Sequence, residues 1–260
     1  MDPTAAALGA GALIGLVLGL IGGGGSILAT PLLVSVVGIA SPHVAIGTGA
    51  VAVTLNALAG LTGHARAGRV KWPCAAIFAS AGLAGTLIGA EAGKAMDGAR
   101  LLGLFGLLMV VIGAAMLRPR RGGQDPDVRL TRDTAPRLLP RLVPIGLAVG
   151  LLSGFFGIGG GFLIVPGLML ATRMPMANAV ATSLVAVAMF GAGTTLSYAL
   201  SGRVDWAVAA LMVAGGVPGA AAGILLGSRL AGQKRLIETG FALVVIAIGA
   251  RLALGAWGVI

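Results

Sequence analysis

Long apolar stretches alternate with short polar connectors along the whole chain. In the first half the apolar pieces run roughly over 5–21, 26–38, 44–63, 72–93 and 99–117; in the second, 179–200, 207–226 and 241–254 carry the clearest cores. Several approach or exceed the ~18–20 residues that a helix needs to cross a bilayer. The pattern predicts an all-α polytopic membrane protein. One strongly polar interruption, RPRRGGQDPDVRLTRDTAPRLLPR over 118–141, is rich in Pro, Gly and charge and reads as an extramembrane linker. It divides a first repeat, 1–117, from a second, 142–260.

The two halves carry the same text. Gly15–Leu33 aligns without gaps on Gly150–Leu168, and after a one-residue slip Ala45–Trp72 aligns on Ala179–Trp206. AIGTGAVAV thereby faces AVATSLVAV, and GRVKW (68–72) faces GRVDW (202–206). About five apolar pieces per half is an odd number, which turns the second copy upside down. Basic residues test this, because they accumulate in cytoplasmic loops. With inverted halves the cytoplasmic side holds Arg66, Arg69, Lys71, the seven linker arginines, Arg173, Arg229, Lys234 and Arg235. Only Lys94, Arg100, Arg203 and Arg251 fall outside. The expected topology has a cytoplasmic linker and both termini outside.

Within each half one stretch resists a simple helix. GLIGGGGSILATP (19–31) and GFFGIGGGFLIVP (154–166) place glycine clusters and a following proline inside apolar sequence, where both residues disfavour a helix interior. The piece 26–38 spans only about 20 Å as a helix, less than a ~30 Å hydrocarbon core. Each Gly-rich segment is expected to turn inside the membrane, as a re-entrant hairpin or a broken helix pair, beside about three full transmembrane helices per half. Irregular backbone at that depth must be buried in protein or line a polar cavity. A glycine turn ahead of a helix start offers free N–H groups with the positive end of the helix dipole behind them, an arrangement that suits anions. Two such ends from inverted halves, meeting near the midplane, resemble the sites of secondary transporters. The candidate substrate-binding residues are therefore Gly23, Gly24, Gly25 and Ser26 in the first copy and Gly159, Gly160 and Gly161 in the second. Thr48, Thr182 and Ser183 are candidate side-chain donors. Glycines elsewhere, as in GAGAL and AGLAG, are read as tight helix packing.

Composition sharpens this picture. The chain is 57% hydrophobic and 10% charged, with mean hydropathy +1.02, against about 25% charged residues in a soluble domain. Its net charge of +10 lies in short loops rather than on one basic face, so no nucleic acid partner is expected. A single cysteine, Cys74, excludes an intrachain disulfide or a multi-cysteine metal site. No basic region precedes the first apolar stretch, so a cleaved signal peptide is not expected. Phe162 and Ile27 stand where a dinucleotide fingerprint needs glycine, and no phosphate-loop lysine follows either cluster. Ser26 has Gly161 as its counterpart, which argues against a serine protease. Asn56, matched by Phe190, is read as an interhelical hydrogen-bonding residue. No enzyme activity, cofactor or metal is expected. No carboxylate or cation falls in the middle of a predicted span, so no proton carrier is evident.

The glycine turn with its later proline, the A-x-A-T-S-L text, and their repetition across two apolar halves resemble the sulfite exporter TauE/SafE family, also called the toluene sulfonate uptake permease family. The first copy departs from that pattern, with GTG at 47–49 where T-S-L is expected. The resemblance implies a membrane transporter for sulfite, sulfonates or related small anions; with the duplicated glycine breaks, the expected protein is a multi-pass secondary transporter of the cell (inner) membrane that moves a small oxyanion by alternating access between two repeats. A passive anion channel, or a membrane scaffold without transport, is the alternative. The expected partners are a small oxyanion and the lipid bilayer; the coupling ion, H+ or Na+, and homo-oligomerisation stay open.

Overall fold

Proline opens several helices of this chain, and glycine closes others. The computed structural model describes residues 3–21, 23–117, 128–159, 161–229 and 234–256, so 118–127 of the linker lies outside the described residues. Among the described residues all regular structure is helical: α1 (Pro3–Ile21), α2 (Ala29–Leu32), α3 (Pro42–Arg66), α4 (Trp72–Ala95), α5 (Gly98–Leu117), α6 (Ala135–Phe156), α7 (Gly161–Thr172), α8 (Met176–Leu200), α9 (Trp206–Arg229) and α10 (Lys234–Ala256). A 3-10 turn, Gly23–Leu28, precedes α2 and a π turn, Leu33–Val37, follows it. Pro42 is the first residue of α3, and the Ser41 side chain accepts the Val44 N–H.

The repeated GRV text proves to be a helix terminator. Gly68 and Gly202 take left-handed φ of +66° and +65°. Gly68 donates to the Ala65 carbonyl and Arg69 to that of His64, while Gly202 donates to Ala199 and Arg203 to Tyr198. These are the paired bonds that close a helix on a glycine. Trp72 and Trp206 then begin the next helices and stand exposed, as residues of an interfacial belt do.

Among the described residues eight helices are long and apolar enough to cross a membrane, four in each half; the segments 24–37 and 161–172 are shorter. Only the second member of each glycine-broken pair is therefore short: α1 has 19 residues and α6 has 22, but α7 has 12, about 18 Å of rise. α6 starts at Ala135, inside the segment read as linker. Proline is compatible with the first turn of a helix, and Leu138 and Leu142 are buried on its inner face.

Packing interleaves the halves. α1 lies along α9, and α4 along α6. A Cβ placed on Gly11, Gly15 or Gly19 would collide with backbone at Met212, Gly216 or Ala220; one on Gly82, Gly85 or Gly89 would strike Gly146, Leu147 or Leu151. These seams are parallel, with small residues letting backbones touch. In contrast, α3 meets α8 with Gly47 beside Tyr198, Thr54 beside Gly191 and Gly60 beside Leu184. α5 meets α10 with Gly103 beside Ala256, Gly106 beside Gly249 and Gly113 beside Ile246. Both of these pairs join corresponding helices of the two halves, and both are antiparallel. α3 and α8 are the most buried spans and form the centre.

Candidate functional site

The second glycine cluster closes α6 as the GRV glycines close α3 and α8. Gly157 has φ +64°, donating its N–H to the Gly154 carbonyl, and Ile158 donates to Ser153. Here the chain turns back against the central helices. Gly159 repeats the left-handed geometry, at φ +62°, and α7 begins at Gly161. A Cβ on Gly157 would strike Ile46, and one on Gly159 would lie 2.9 Å from Val53 Cγ1 and 3.9 Å from Gly191 Cα. Val53 and Gly191 stand near the middles of α3 and α8, so the turn sits at mid-depth between the two central helices. The Gly159 N–H has no hydrogen-bond partner among the described residues. Gly160 lies outside the described residues.

Three fully buried polar side chains lie three or four residues along the chain from Val53, Gly191 and Gly157. Asn56 follows Val53 on α3, Thr194 follows Gly191 on α8, and Ser153 precedes the turn on α6. Both amide atoms of Asn56 and the hydroxyls of Ser153 and Thr194 are without hydrogen-bond partners among the described residues. Buried polar atoms are paired in the great majority of proteins, and an unpaired one calls for a reason. The Asn56 amide fits over Gly216, while its counterpart Phe190 fits over Gly82. The same slot thus holds an aromatic ring in one half and an unsatisfied amide in the other.

The first cluster joins this assembly from the other half. The Gly23–Leu28 turn packs against α7 and touches α3 and α8. Gly24 shares with Phe162, Val165 and Pro166 an apolar cavity of about 130 Å³ between α5 and α10. Gly25 presses on α1, where a Cβ would meet Leu18 backbone at 2.8 Å. Ser26 is fully buried and has an interaction partner.

The hydroxyls of the second repeated motif lie elsewhere. Thr48 Oγ1 accepts the Asp205 N–H at 2.9 Å, and Thr182 Oγ1 accepts the Lys71 N–H at 3.1 Å. Each threonine therefore holds the start of a helix in the opposite half: Thr48 at α9, Thr182 at α4. Because α3 and α8 are antiparallel, the two are separated by about 20 Å along the bundle. Ser183 donates to the Val180 carbonyl of its own helix at 2.8 Å. The glycine segments of the two halves are brought together; Thr48 and Thr182 are not. Ser153 and Thr194 escaped sequence reasoning, since a lone hydroxyl in an apolar run is ordinarily bonded to its own helix.

At the end of α8 remote from the linker, a polar cluster ties α8 to α4. Lys94 Nζ lies 2.7 Å from Glu91 Oε1 and donates to the Ser197 carbonyl and to Ser201 Oγ, while Ser197 Oγ donates to Glu91. The residues that correspond in sequence to Glu91 and Lys94 are Leu225 and Ser228, so this charged pair is not repeated in the second half.

Comparison with known proteins agrees with this architecture. Residues 7–252 match the family described as Sulfite exporter TauE/SafE. A "Probable membrane transporter protein" of Xylella fastidiosa is 48% identical over 96% of this chain and 95% of its own length. "Probable membrane transporter protein YunE" of Bacillus subtilis is 29% identical, covering 93% and 94%. "Probable membrane transporter protein MJ0441" of Methanocaldococcus jannaschii is 28% identical over 72% and 69%. No solved structure matches the chain.

Proposed function

The chain belongs to the sulfite exporter TauE/SafE family of membrane transporters, and from that premise we propose that it carries a small oxyanion of the sulfite or organosulfonate class by alternating access. The observation that carries this reading is the glycine turn between the central helices, together with three buried polar side chains, unpaired among the described residues, that lie three or four residues along the chain from the turn or from the residues it touches. The anion is bound by neutral donors: the Gly159 and Gly161 amides at the start of α7, the Asn56 amide, and the Ser153 and Thr194 hydroxyls. Neutral donors suit a carrier, because a fixed cation at this depth would hold an anion too tightly to release it. The Gly23–Gly25 segment, Ser26 and the dipole of α7 complete the surroundings.

The two halves act as inverted repeats; the antiparallel pairs α3/α8 and α5/α10 support that relation, since an in-plane two-fold axis reverses corresponding helices. The basic residues at the linker end support an inner-membrane orientation with the linker cytoplasmic and both termini outside. Thr48 and Thr182 serve as interlocks between the halves. The Lys94–Glu91–Ser197 cluster closes the outer end in the conformation described.

A thermal-shift screen of the purified protein against sulfite, sulfate, thiosulfate, taurine-like sulfonates and carboxylates identifies the ligand, because a ligand that binds the folded state raises its stability. Counterflow of that labelled ligand in proteoliposomes then tests carriage, since a passive pore does not show saturable counterflow. Asn56→Leu, Ser153→Ala and Thr194→Val are expected to weaken the shift and slow counterflow. Wild-type binding and rates in all three would refute the site.

A further inference from the structure

At the linker end of the bundle, three separate pieces of chain enclose a second cavity, of about 330 Å³. Arg129 comes from the loop before α6, Arg137 and Arg141 from the first turns of α6, and Arg173 from the residue after α7. Among the described residues no carboxylate lines it. None of the four guanidinium groups has a hydrogen-bond or ion-pair partner among the described residues. The walls are locally fixed. Thr134 Oγ1 donates to the Arg129 carbonyl at 2.7 Å, and the buried Thr172 donates to Leu168 and accepts the Met174 N–H. Arg137 and Arg141, four apart, share one face of α6.

Arg173 supplies an independent observation. Its φ is +61°, which among the described residues no other non-glycine residue shares at positive φ. Carried past Leu33 and Leu168 in the same register, the alignment of the halves pairs it with Gly38, which makes the same left-handed turn at φ +85° after the first short segment. One repeat thus uses the residue that adopts this backbone freely, and the other accepts strain to put a guanidinium there. A loop that needed only positive charge near a membrane could carry it at any neighbouring position.

Below the cavity the protein surface is apolar. Arg141 is followed at steps of three and four residues by Pro144, Leu147 and Leu151, all exposed, and Leu170, beside Arg173, is 71% exposed. Guanidinium forks match phosphate oxygens in pairs, and basic pockets between transmembrane helices bind anionic headgroups. We propose that this cavity binds the phosphodiester headgroup of an anionic phospholipid, whose acyl chains lie along the exposed face of α6 and Leu170. The ligand chemistry is a phosphate-type oxyanion; the adjoining apolar stripe assigns it to a lipid rather than to free phosphate. The inference is independent of the transport site, which lies at mid-depth.

The test uses the full chain in phosphatidylcholine, with phosphatidylglycerol or inorganic phosphate added, read by bound-lipid mass spectrometry and the thermal midpoint. Wild type is expected to retain phosphatidylglycerol and gain thermal stability. Arg137→Ala/Arg141→Ala is expected to bind about tenfold more weakly, a change of ~1.4 kcal/mol. Arg173→Gly, which adopts the turn already made by Gly38 and so keeps the fold, is expected to weaken binding several-fold. Arg132→Ala, outside the cavity, is the matched charge control and should bind as wild type. Equal retention by all variants, or equal loss in the control, would overturn the site. Stabilisation by inorganic phosphate with displacement of the lipid would overturn the lipid assignment. If the double variant does not fold, Arg173→Gly still decides.

Discussion

Replacing Gly159 by alanine adds one methyl group at the mid-depth turn, and the geometry sets what it costs. The residue holds φ at +62°, where a left-handed backbone disfavours an L side chain by roughly 1–2 kcal/mol. The new Cβ would also lie 2.9 Å from Val53 Cγ1. Val53 is 1% exposed, and a β-branched side chain on a helix has essentially one rotamer, so it cannot turn aside. Overpacking of this kind costs about 1–3 kcal/mol. Gly159→Ala should therefore destabilise the protein by about 2–5 kcal/mol. Val53→Ala should return the steric part and leave the backbone part, giving a favourable coupling of about 1–3 kcal/mol in a double-mutant cycle. Cys74 provides the assay: it is the single cysteine, fully buried, so maleimide labelling across a denaturant series reports the unfolded fraction. A Gly159→Ala protein within about 0.5 kcal/mol of wild type, the range of an ordinary surface change, would refute the turn geometry. Full destabilisation without compensation by Val53→Ala would refute the contact.

Four further outcomes follow from contacts described above. Thr48→Val, which removes the acceptor of the Asp205 N–H, should cost about 1–3 kcal/mol, read by the same labelling curve. Asn56→Leu should raise stability by about 1–3 kcal/mol, because it removes a buried amide without partners, while lowering counterflow. Lys94→Met should speed hydrogen exchange in the last turn of α8, where its bonds to Ser197 and Ser201 are lost. Gly150→Leu should abolish folding, since even a Cβ there strikes the Gly82 backbone, whereas Gly9→Ala, with nothing within 4 Å, should be silent; membrane yield and gel filtration separate the two.

What the chain reveals of itself before folding follows the range of each interaction. Spans such as 44–63 and 72–93 are legible because burial in lipid is written residue by residue; α3 extends the first by a few residues at each end, and α4 extends the second at its C-terminal end alone. The glycine clusters are legible because helix interiors exclude glycine, and their recurrence marks a common role. The GRV motif is visible as text, but its use as a helix cap depends on hydrogen bonds that leave no mark beyond the glycine. α6 extends into the polar segment because Leu138 and Leu142 find buried places, a tertiary fact. Thr48 and Thr182 illustrate the limit most clearly. Their motif repeats, yet each hydroxyl serves the opposite half, at Asp205 and Lys71, over sequence distances that no local pattern encodes. Ser153 and Thr194 stay hidden for the opposite reason: what sets them apart is a missing partner.

The parallel seams have a consequence in time. Gly11, Gly15 and Gly19 of α1 find their backbone fit on α9, which the ribosome makes roughly 200 residues later. At about 5–20 residues per second, roughly ten to forty seconds separate their synthesis. Throughout that interval the small-residue face of α1 has no seam to close and must rest against lipid or the insertion machinery. The nascent first half is thus a tenant of the membrane before it is a folded object. Assembly waits on the arrival of the second half, and a chain truncated before α9 should be a substrate for membrane proteases rather than a smaller transporter.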